Sequence, residues 1–169
     1  MTTYRFEKKQ SDLPKVIPLF PLNNVLLLPK CKLPLNLFEN RYLHMFDCAL
    51  SSDRLVGMIQ PCEKLDSHKD KSSPKIYKIG CAGIIVAFNQ TNDNRYEIVL
   101  KGLSRFEINK ELDLLNGFRR AKVNWNMFKD DLNSLSSTKP TDRIMFEEKL
   151  KIYLKKLDVT ADWQQIEAS

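Results

Sequence analysis

Cys48 and His44 could form the most direct chemical centre in this chain, a nucleophilic thiol beside a base. They lie four residues apart, so in a helix both side chains would share one face and the imidazole could activate the thiol. Such a centre also needs a third group to orient the base and donors for an oxyanion. Met45, Phe46 and Ala49 surround the pair, which favours a buried helix face. We therefore predict no catalytic residue and keep a hydrolase that depends on Cys48 as the catalytic alternative.

The cysteine and glycine patterns do not predict a metal or a nucleotide site. The chain has four cysteines and two histidines, without a paired Cys-x-x-Cys, whereas zinc centres normally bring their ligands in such pairs. The Gly-x-x-x-x-Gly-Lys-[Ser/Thr] loop that cradles ATP phosphates is absent, and there are only five glycines. We expect no metal, no cofactor and four reduced thiols, at Cys31, Cys48, Cys62 and Cys81.

The segment Gly80-Cys-Ala-Gly83 resembles the loop with which some RNA-binding modules clamp a nucleic-acid backbone. In those modules the loop joins two helices, whereas strand-like residues flank this segment on both sides. The surrounding pattern therefore favours a bend or bulge in a sheet.

The charge balance and the hydropathy bear on nucleic acids and membranes. The net charge is +6, but the basic residues are scattered among acidic ones, whereas a phosphate-binding footprint clusters on one face. No apolar run approaches the roughly 20 residues that cross a bilayer, and residues 1–12 lack the apolar centre of a secretory signal. We expect a cytoplasmic protein with no membrane partner, and we favour RNA binding less than protein binding.

The first half of the chain predicts short extended pieces followed by one helix. Prolines interrupt any helix over residues 16–28. Because a proline has no N–H to donate to a sheet, we expect Pro18 and Pro34 at strand edges or bulges. Over residues 37–51 the period changes, because apolar side chains fall at helical spacing on one face.

The second half of the β-rich region alternates between turn residues and half-buried strands. In order, we predict a surface loop over 63–74, a long strand over 76–88, a hairpin turn over 89–94, strands over 95–101 and 105–109, a turn at Asn116-Gly117, and a last strand with Ala121, Val123 and Trp125 facing inward.

These patterns divide the chain into a polar leader (1–14), a twisted, closed or nearly closed β-structure (15–128), and a linker with a helical subdomain (129–169). The linker is polar and serine-rich. One amphipathic stripe marks the helix that follows, formed by Phe146, Leu150, Tyr153, Leu154 and Leu157. Because the sequence ends soon after a second helix would begin near Ala161, we expect this subdomain to be truncated or to be completed by a partner.

Six segments occur in an order that is specific as a set, although each piece alone would be weak. They are Ile17-Pro-Leu-Phe-Pro-Leu22, Val25-Leu-Leu-Leu-Pro29, Leu33-Pro-Leu-Asn-Leu-Phe-Glu-Asn-Arg-Tyr42, Gly57-Met-Ile-Gln-Pro61, Gly80-Cys-Ala-Gly83 and Gly102-Leu-Ser-Arg-Phe106. Together they resemble the amino-terminal, substrate-binding domain family of Lon proteases, including its small stand-alone bacterial members. The resemblance covers about residues 15 to 168.

The resemblance implies an α+β fold: a PUA-like β pseudo-barrel with one inserted helix, followed by a C-terminal helical appendage. In Lon proteases this part helps to select substrates, while the ATPase and Ser-Lys protease activities belong to later domains. One departure is the hairpin that often reads Asp-Gly-Arg-Tyr in the family. Here it reads Asp93-Asn-Arg-Tyr96, in which Asn94 still tolerates a left-handed turn.

The segment Phe38-Glu39-Asn40-Arg41-Tyr42 is the best candidate for a substrate-binding surface, because it combines aromatic and charged residues where a strand meets a helix. The structural interpretation is stronger. Phe38 and Tyr42 would pack at the helix start, and Glu39 would favour its positive end.

Three functions stay open. The favoured one is a non-catalytic module that binds unfolded or client polypeptides by strand addition or in an apolar groove, with a protease or chaperone as a further partner and homo-oligomers possible. The second is RNA binding through the PUA-like fold, for which fold analogy is a weak warrant. The third is the hydrolase.

Overall fold

The computed structural model describes residues 9–62, 74–93, 95–133 and 143–156. The chain divides into two compact units, Met1–Asn133 and Ser134–Ser169, and each is described by itself.

Among its described residues, the first unit contains six strands and one α-helix. Its elements are β1 (Val16–Pro21), β2 (Lys32–Leu37), α1 (Asn40–Leu50), β3 (Leu55–Ile59), β4 (Ile79–Gln90), β5 (Tyr96–Leu115) and β6 (Phe118–Asn124), with short 3-10 helices at Gln10–Asp12 and Asn126–Leu132. The mixed α and β content and the single early helix confirm the coarse fold prediction.

Five of the strands form a closed circuit of hydrogen-bonded pairs. β1 pairs in parallel with β3, and the pairs β3–β4, β4–β5, β5–β6 and β6–β1 are antiparallel. β2 lies outside this circuit, on residues 96–101 of β5. β5 can serve three neighbours because its first half pairs with β2 and β4, while its second half pairs with β6.

The two faces of the strands carry two separate cores. One core, the inner cluster, takes residues from all five circuit strands, including Ile17, Leu55, Ile84, Phe106 and Ala121. The other, the helix-side cluster, joins strand residues such as Val56 and Met58 to the buried face of α1. β3 alternates between the two cores, which explains why all five of its residues are buried.

The helix α1 forms where the sequence predicts a helix. Its N-cap is Glu39, and the buried residues recur at helical spacing, so one apolar stripe faces the sheet. The stripe consists of Tyr42, Met45, Phe46 and Ala49.

The second half of the sheet differs from the prediction of separate strands over 95–101 and 105–109. The structure has one strand, β5, that runs for 20 residues. It changes register opposite β4 near Gly83 and Gly102, where a Cβ on Gly102 would collide with the carbonyl of Leu28. The irregularity lets a single strand bend, so the chain continues where the sequence suggested a break.

Several turns and bends follow the sequence prediction. Asn116 and Gly117 have positive φ values of 48° and 83°, as a two-residue hairpin requires. Gly80 to Gly83 lie within β4, so this segment is a strand and not a loop between helices. The predicted loop over 63–74 lies almost entirely outside the described residues, as does Asn94.

In the second unit, α2 (Arg143–Lys156) confirms the helix predicted after Pro140. Leu150 and Leu154 are half-buried, whereas Phe146 and Tyr153 are exposed. Leu157 and the helix expected near Ala161 lie outside the described residues. Among the described residues, no helix combines the length and apolar character that a membrane span requires.

The 3-10 helix Asn126–Leu132 includes Lys129 to Leu132, which the sequence assigned to a linker. Asp131 holds it against the sheet, because its carboxylate accepts hydrogen bonds from the Arg105 side chain at 2.9 and 2.7 Å and from the Arg105 backbone N–H at 2.9 Å. The guanidinium also lies 4.5 Å from the centre of the Phe128 ring. Hydrogen bonds from Arg105 hold the pKa of the Asp131 carboxyl below its usual range.

We expect the substitution Asp131→Asn to lower the free energy of unfolding by about 1 kcal/mol at pH 7, since hydrogen bonds to charged groups are worth roughly 1.5–3 kcal/mol and Arg105 is half exposed. A carboxyl whose pKa is lowered in the folded state stabilises that state above its unfolded pKa, and the effect is lost as the pH falls through the folded value. Urea unfolding at several pH values should therefore show the difference shrinking below about pH 4.

Asp130→Asn is the matched control, because the Asp130 carboxylate accepts a hydrogen bond from the neighbouring Asn133 side-chain amide and not from Arg105. It should change stability little at either pH. An equal loss for Asp131→Asn at pH 7 and at pH 3 would show that packing, and not the ion pair, holds this segment.

Candidate functional site

Part of the sheet extends beyond the closed circuit and carries an accessible surface with a cavity. This sheet extension comprises all of β2, residues 96–101 of β5 and residues 84–90 of β4. Its three strands are aligned by register, so that Leu35, Ile98 and Phe88 lie side by side.

One face of the sheet extension packs against α1. Ile98 is only 3% exposed and belongs to the helix-side cluster, and the ring centres of Phe88 and Phe46 are 5.5 Å apart. Because side chains alternate along a strand, the neighbours Pro34, Val99 and Ala87 must lie on the opposite face, which we call the open face.

The open face is concave and has an apolar centre. A cavity of about 560 Å³ lies over it, lined by residues from all three strands. Register shifts between Ile85 and Ala87 bend β4 here, and such bulges increase the local curvature of a sheet.

The side chains of the open face form three rows across the strands, set by the register of β2, β5 and β4. The rows run Lys32–Lys101–Ile84, then Pro34–Val99–Ala87, then Asn36–Glu97–Asn89. From one end to the other, the surface therefore presents two ammonium groups, an apolar middle row, and a row of amide and carboxylate groups. In the last row the Asn89 side-chain amide lies 3.4 Å from a Glu97 carboxylate oxygen. This arrangement suits an extended chain with mixed side chains.

The outer edge of β2 is poorly suited to accept another strand. The Gly102 backbone N–H donates to the Cys31 carbonyl at 2.8 Å. Since hydrogen-bonded and non-hydrogen-bonded pairs alternate along an antiparallel ladder, the next pair, Lys32 with Lys101, is a non-hydrogen-bonded one. The backbone groups of Lys32, Pro34 and Asn36 therefore point away from β5. Pro34 has no N–H, so the edge lacks a donor at its centre, a common protection against strand addition.

The predicted segment Phe38–Tyr42 divides into an accessible part and a packed part. Phe38 is 64% exposed and follows β2 directly, and its ring centre lies 6.0 Å from the Arg95 guanidinium. Arg95 directly precedes β5, so Phe38 lies at the end of the β2–β5 pair, beyond Asn36 and Glu97. The structure thus brings Phe38 next to the open face.

The other members of the segment form the start of α1. Tyr42 is buried against Phe20, with ring centres 4.3 Å apart, and this burial raises the pKa of its phenol. Arg41 pairs with Glu39 at 2.8 Å and lies 4.6 Å from the centre of the Tyr42 ring. Glu39 occupies the N-cap position without a side-chain cap hydrogen bond, and Asn40 is the first, exposed residue of the helix.

The pair Cys48 and His44 does not assemble a thiol–imidazole centre in this structure. His44 is exposed, and its Nδ1 lies 3.4 Å from the Asn116 carbonyl oxygen, while Cys48 is half-buried. The hydroxyls of Ser51 and Ser52 donate to the backbone carbonyl of Cys48 and not to its thiol. The hydrogen bonds described for these two residues do not join the His44 imidazole to the Cys48 thiol.

Of the remaining cysteines, Cys31 and Cys62 are exposed and Cys81 is buried. Burial raises the pKa of the Cys81 thiol to about 12, so it stays protonated at neutral pH. Within the described ranges, no group of three or more histidine, cysteine, aspartate or glutamate side chains is placed to hold a metal ion.

The open face was not predicted from the sequence. The alternation in Lys32-Leu-Pro-Leu-Asn-Leu37 places leucines on one face and Lys32, Pro34 and Asn36 on the other, which is a usable signal for a two-sided strand. The register of β2 against β5 could not be predicted from local sequence patterns, because the two strands are about 60 residues apart in the chain.

Comparison with protein families gives one match that spans most of the chain. The model of the ATP-dependent protease La (LON) substrate-binding domain matches residues 16–166. Similar curated proteins include a Lon protease of Dictyoglomus thermophilum, 31% identical over 66% of this chain, and one of Desulfosudis oleivorans, 29% identical over 60%. The aligned part of this chain spans only 14% and 12% of those two proteins.

Solved structures show the same relationship. A Lon N-terminal domain protein from Xanthomonas campestris is 26% identical with a TM-score of 0.51, covering 65% of this chain and 59% of that one. The N-terminal domain of a Mycobacterium avium complex Lon protease has a TM-score of 0.56 over 91% of this chain and 74% of that one. At 15% identity the latter is a likeness of fold alone.

We expect Phe38→Ala to leave stability within about 0.5 kcal/mol of the parent protein, since the side chain is mostly exposed. Tyr42→Ala should cost about 3 kcal/mol, because it removes a buried ring from the helix-side cluster. Denaturant unfolding measures both changes, and Tyr42→Phe is the control that keeps the ring. A loss for Phe38→Ala as large as that for Tyr42→Ala would assign Phe38 to the core and remove it from the candidate surface.

Proposed function

The chain belongs to the LON substrate-binding domain family, and on that premise we propose that it is a non-catalytic module that binds segments of other polypeptides. The proposed site is the open face together with Phe38. Its clients are unfolded or extended segments, because a shallow surface on a sheet can accommodate an extended chain.

We infer that the closed circuit of β1, β3, β4, β5 and β6 is the PUA-like pseudo-barrel that the resemblance implies. The inner cluster supports this assignment, because all five strands contribute to it. Such a barrel is a rigid support, and rigid elements hold a binding surface more accurately than loops do.

The observation that carries the proposal is the accessible apolar concavity. Val99 and its row neighbours Pro34 and Ala87 are at least partly exposed, and the cavity above them has a volume of about 560 Å³, within the usual range of binding sites. The exposed Phe38 ring adds an aromatic group, the kind of side chain that often dominates binding energy at protein interfaces.

Groove binding is favoured over strand addition at β2. Main-chain pairing would need the regular donors of an edge strand, and Pro34 interrupts them. The client would therefore be held by its side chains against the rows of the open face.

The RNA-binding alternative has less support from the described surface. A sequence-tolerant RNA site combines a continuous basic groove with stacking aromatic rings. The open face instead has an apolar middle row, and Glu97 stands at one end. A protease or chaperone that receives the bound segment is part of the proposal, because the chain itself assembles no catalytic group among its described residues.

We expect Val99→Gln to weaken the binding of unfolded peptides about tenfold. Covering a valine side chain is worth about 1.5 kcal/mol, and roughly 1.4 kcal/mol corresponds to one factor of ten in affinity. The measurement is a titration of isotope-labelled protein with a panel of unstructured peptides, followed by NMR chemical shifts, which also locates the site.

Val16→Gln is the matched control, because Val16 is a strand valine that is 38% exposed on β1, outside the sheet extension. It should bind peptides as the parent protein does. The proposal is wrong if no peptide in a varied panel binds, or if shifts map away from the open face and both valine variants behave alike.

A further inference from the structure

Two lysines face each other at one end of the open face. Lys32 and Lys101 are directly paired across β2 and β5, and both are exposed. The ladder alternation set by the Gly102–Cys31 hydrogen bond makes theirs a non-hydrogen-bonded pair, in which the Cα atoms approach to about 4.5 Å. Like charges in this position destabilise a sheet.

No partner offsets this repulsion within the part of the chain that the structure describes. The ion pairs identified between described residues of the first unit are formed by Arg41, Arg95, Arg105 and Arg119, and not by Lys32 or Lys101. The nearest acidic residue on the same face of β5 is Glu97, four residues from Lys101 along the strand and therefore roughly 13 Å away. The pair is thus an uncompensated positive site that adjoins the apolar row.

The distance between the lysine pair and the apolar row defines which polypeptide segment could bind both. Side chains two residues apart on one face of an extended chain are roughly 6.8 Å apart. This is also the separation of Val99 from Lys101. A bound extended segment that places an apolar side chain over Val99 would therefore place the side chain two positions away over the lysine pair.

Resting on the proposed function, we propose that the open face prefers extended polypeptide segments in which an aspartate or glutamate lies two residues from a large apolar side chain. The carboxylate binds between the ammonium groups of Lys32 and Lys101, and the apolar side chain covers Pro34, Val99 and Ala87. The occupant is a protein segment and not a nucleic acid, because the apolar row beside the lysine pair has no group that could bind the next phosphate of a nucleic-acid backbone.

The test uses the full chain and blocked nine-residue peptides, acetylated and amidated so that only side chains carry charge. Each peptide has one central leucine, with glutamate two positions before it or two positions after it, and each has a glutamine counterpart. A register control places the glutamate adjacent to the leucine. We expect one of the two spaced glutamate peptides to bind roughly two to five times more tightly than its glutamine counterpart at low salt, and this gain to fall as salt is raised.

The double substitution Lys32→Gln with Lys101→Gln should abolish the difference in affinity between the glutamate peptide and its glutamine counterpart. The matched control is Lys110→Gln with Lys122→Gln, because these lysines form a second like-charged pair, across β5 and β6 and away from the open face. That variant should keep the full gain. Circular dichroism and thermal unfolding confirm that both variants stay folded.

The outcomes separate this inference from the proposed function. If glutamate and glutamine peptides bind equally, if the register control gains as much, or if the Lys110 and Lys122 variant loses the gain, the preference for spaced acids is overturned while polypeptide binding stands. If no peptide binds, both fail. A single-stranded RNA that binds the parent protein but not the Lys32 and Lys101 variant, without any peptide preference, would overturn the inference in favour of nucleic acid.

Discussion

The structure depends on one strand that satisfies the backbone hydrogen bonds of three others. β5 pairs with β2 and β4 along its first half and with β6 along its second, and each pairing is obligatory because an unpaired buried backbone group is costly. Meeting all three requires the strand to bend near Gly102, where the Leu28 carbonyl leaves no room for a Cβ. The bend turns a flat sheet into a closed circuit with an extension.

The candidate site is a by-product of that bend. The first half of β5 and the end of β4 continue past the circuit, so the sheet face opposite α1 passes from the inner cluster at Ile84 of β4 into solvent at Val99 of β5. An apolar row that would be core inside the circuit is thereby accessible outside it. On the other face, Phe46 of α1 packs against Phe88 and Tyr96, which supports the extension from that side.

The structure shows that some of the basic side chains make contacts within the fold. Arg119 belongs to one of the few basic doublets in the sequence, but it is 8% exposed, and its guanidinium donates to Glu111 and to the Pro74 carbonyl. Arg105 is engaged by Asp131. Charge that a count would assign to a nucleic-acid surface is therefore partly structural, whereas Lys32 and Lys101, unremarkable in the sequence, become neighbours.

Local patterns in the sequence were sufficient for α1, for the Asn116-Gly117 turn, for the strand nature of Gly80 to Gly83 and for the ordered motifs that identify the family, because helical spacing and turn chemistry act over a few residues. They were insufficient for β5, whose two halves look like two strands until a bulge joins them. Of the segment Phe38 to Tyr42, the packed role of Tyr42 was foreseeable, but the accessibility of Phe38 was not. The open face was decided by tertiary structure alone, since the register between β2 and β5 aligns side chains about 60 residues apart, and no local propensity specifies such a pairing.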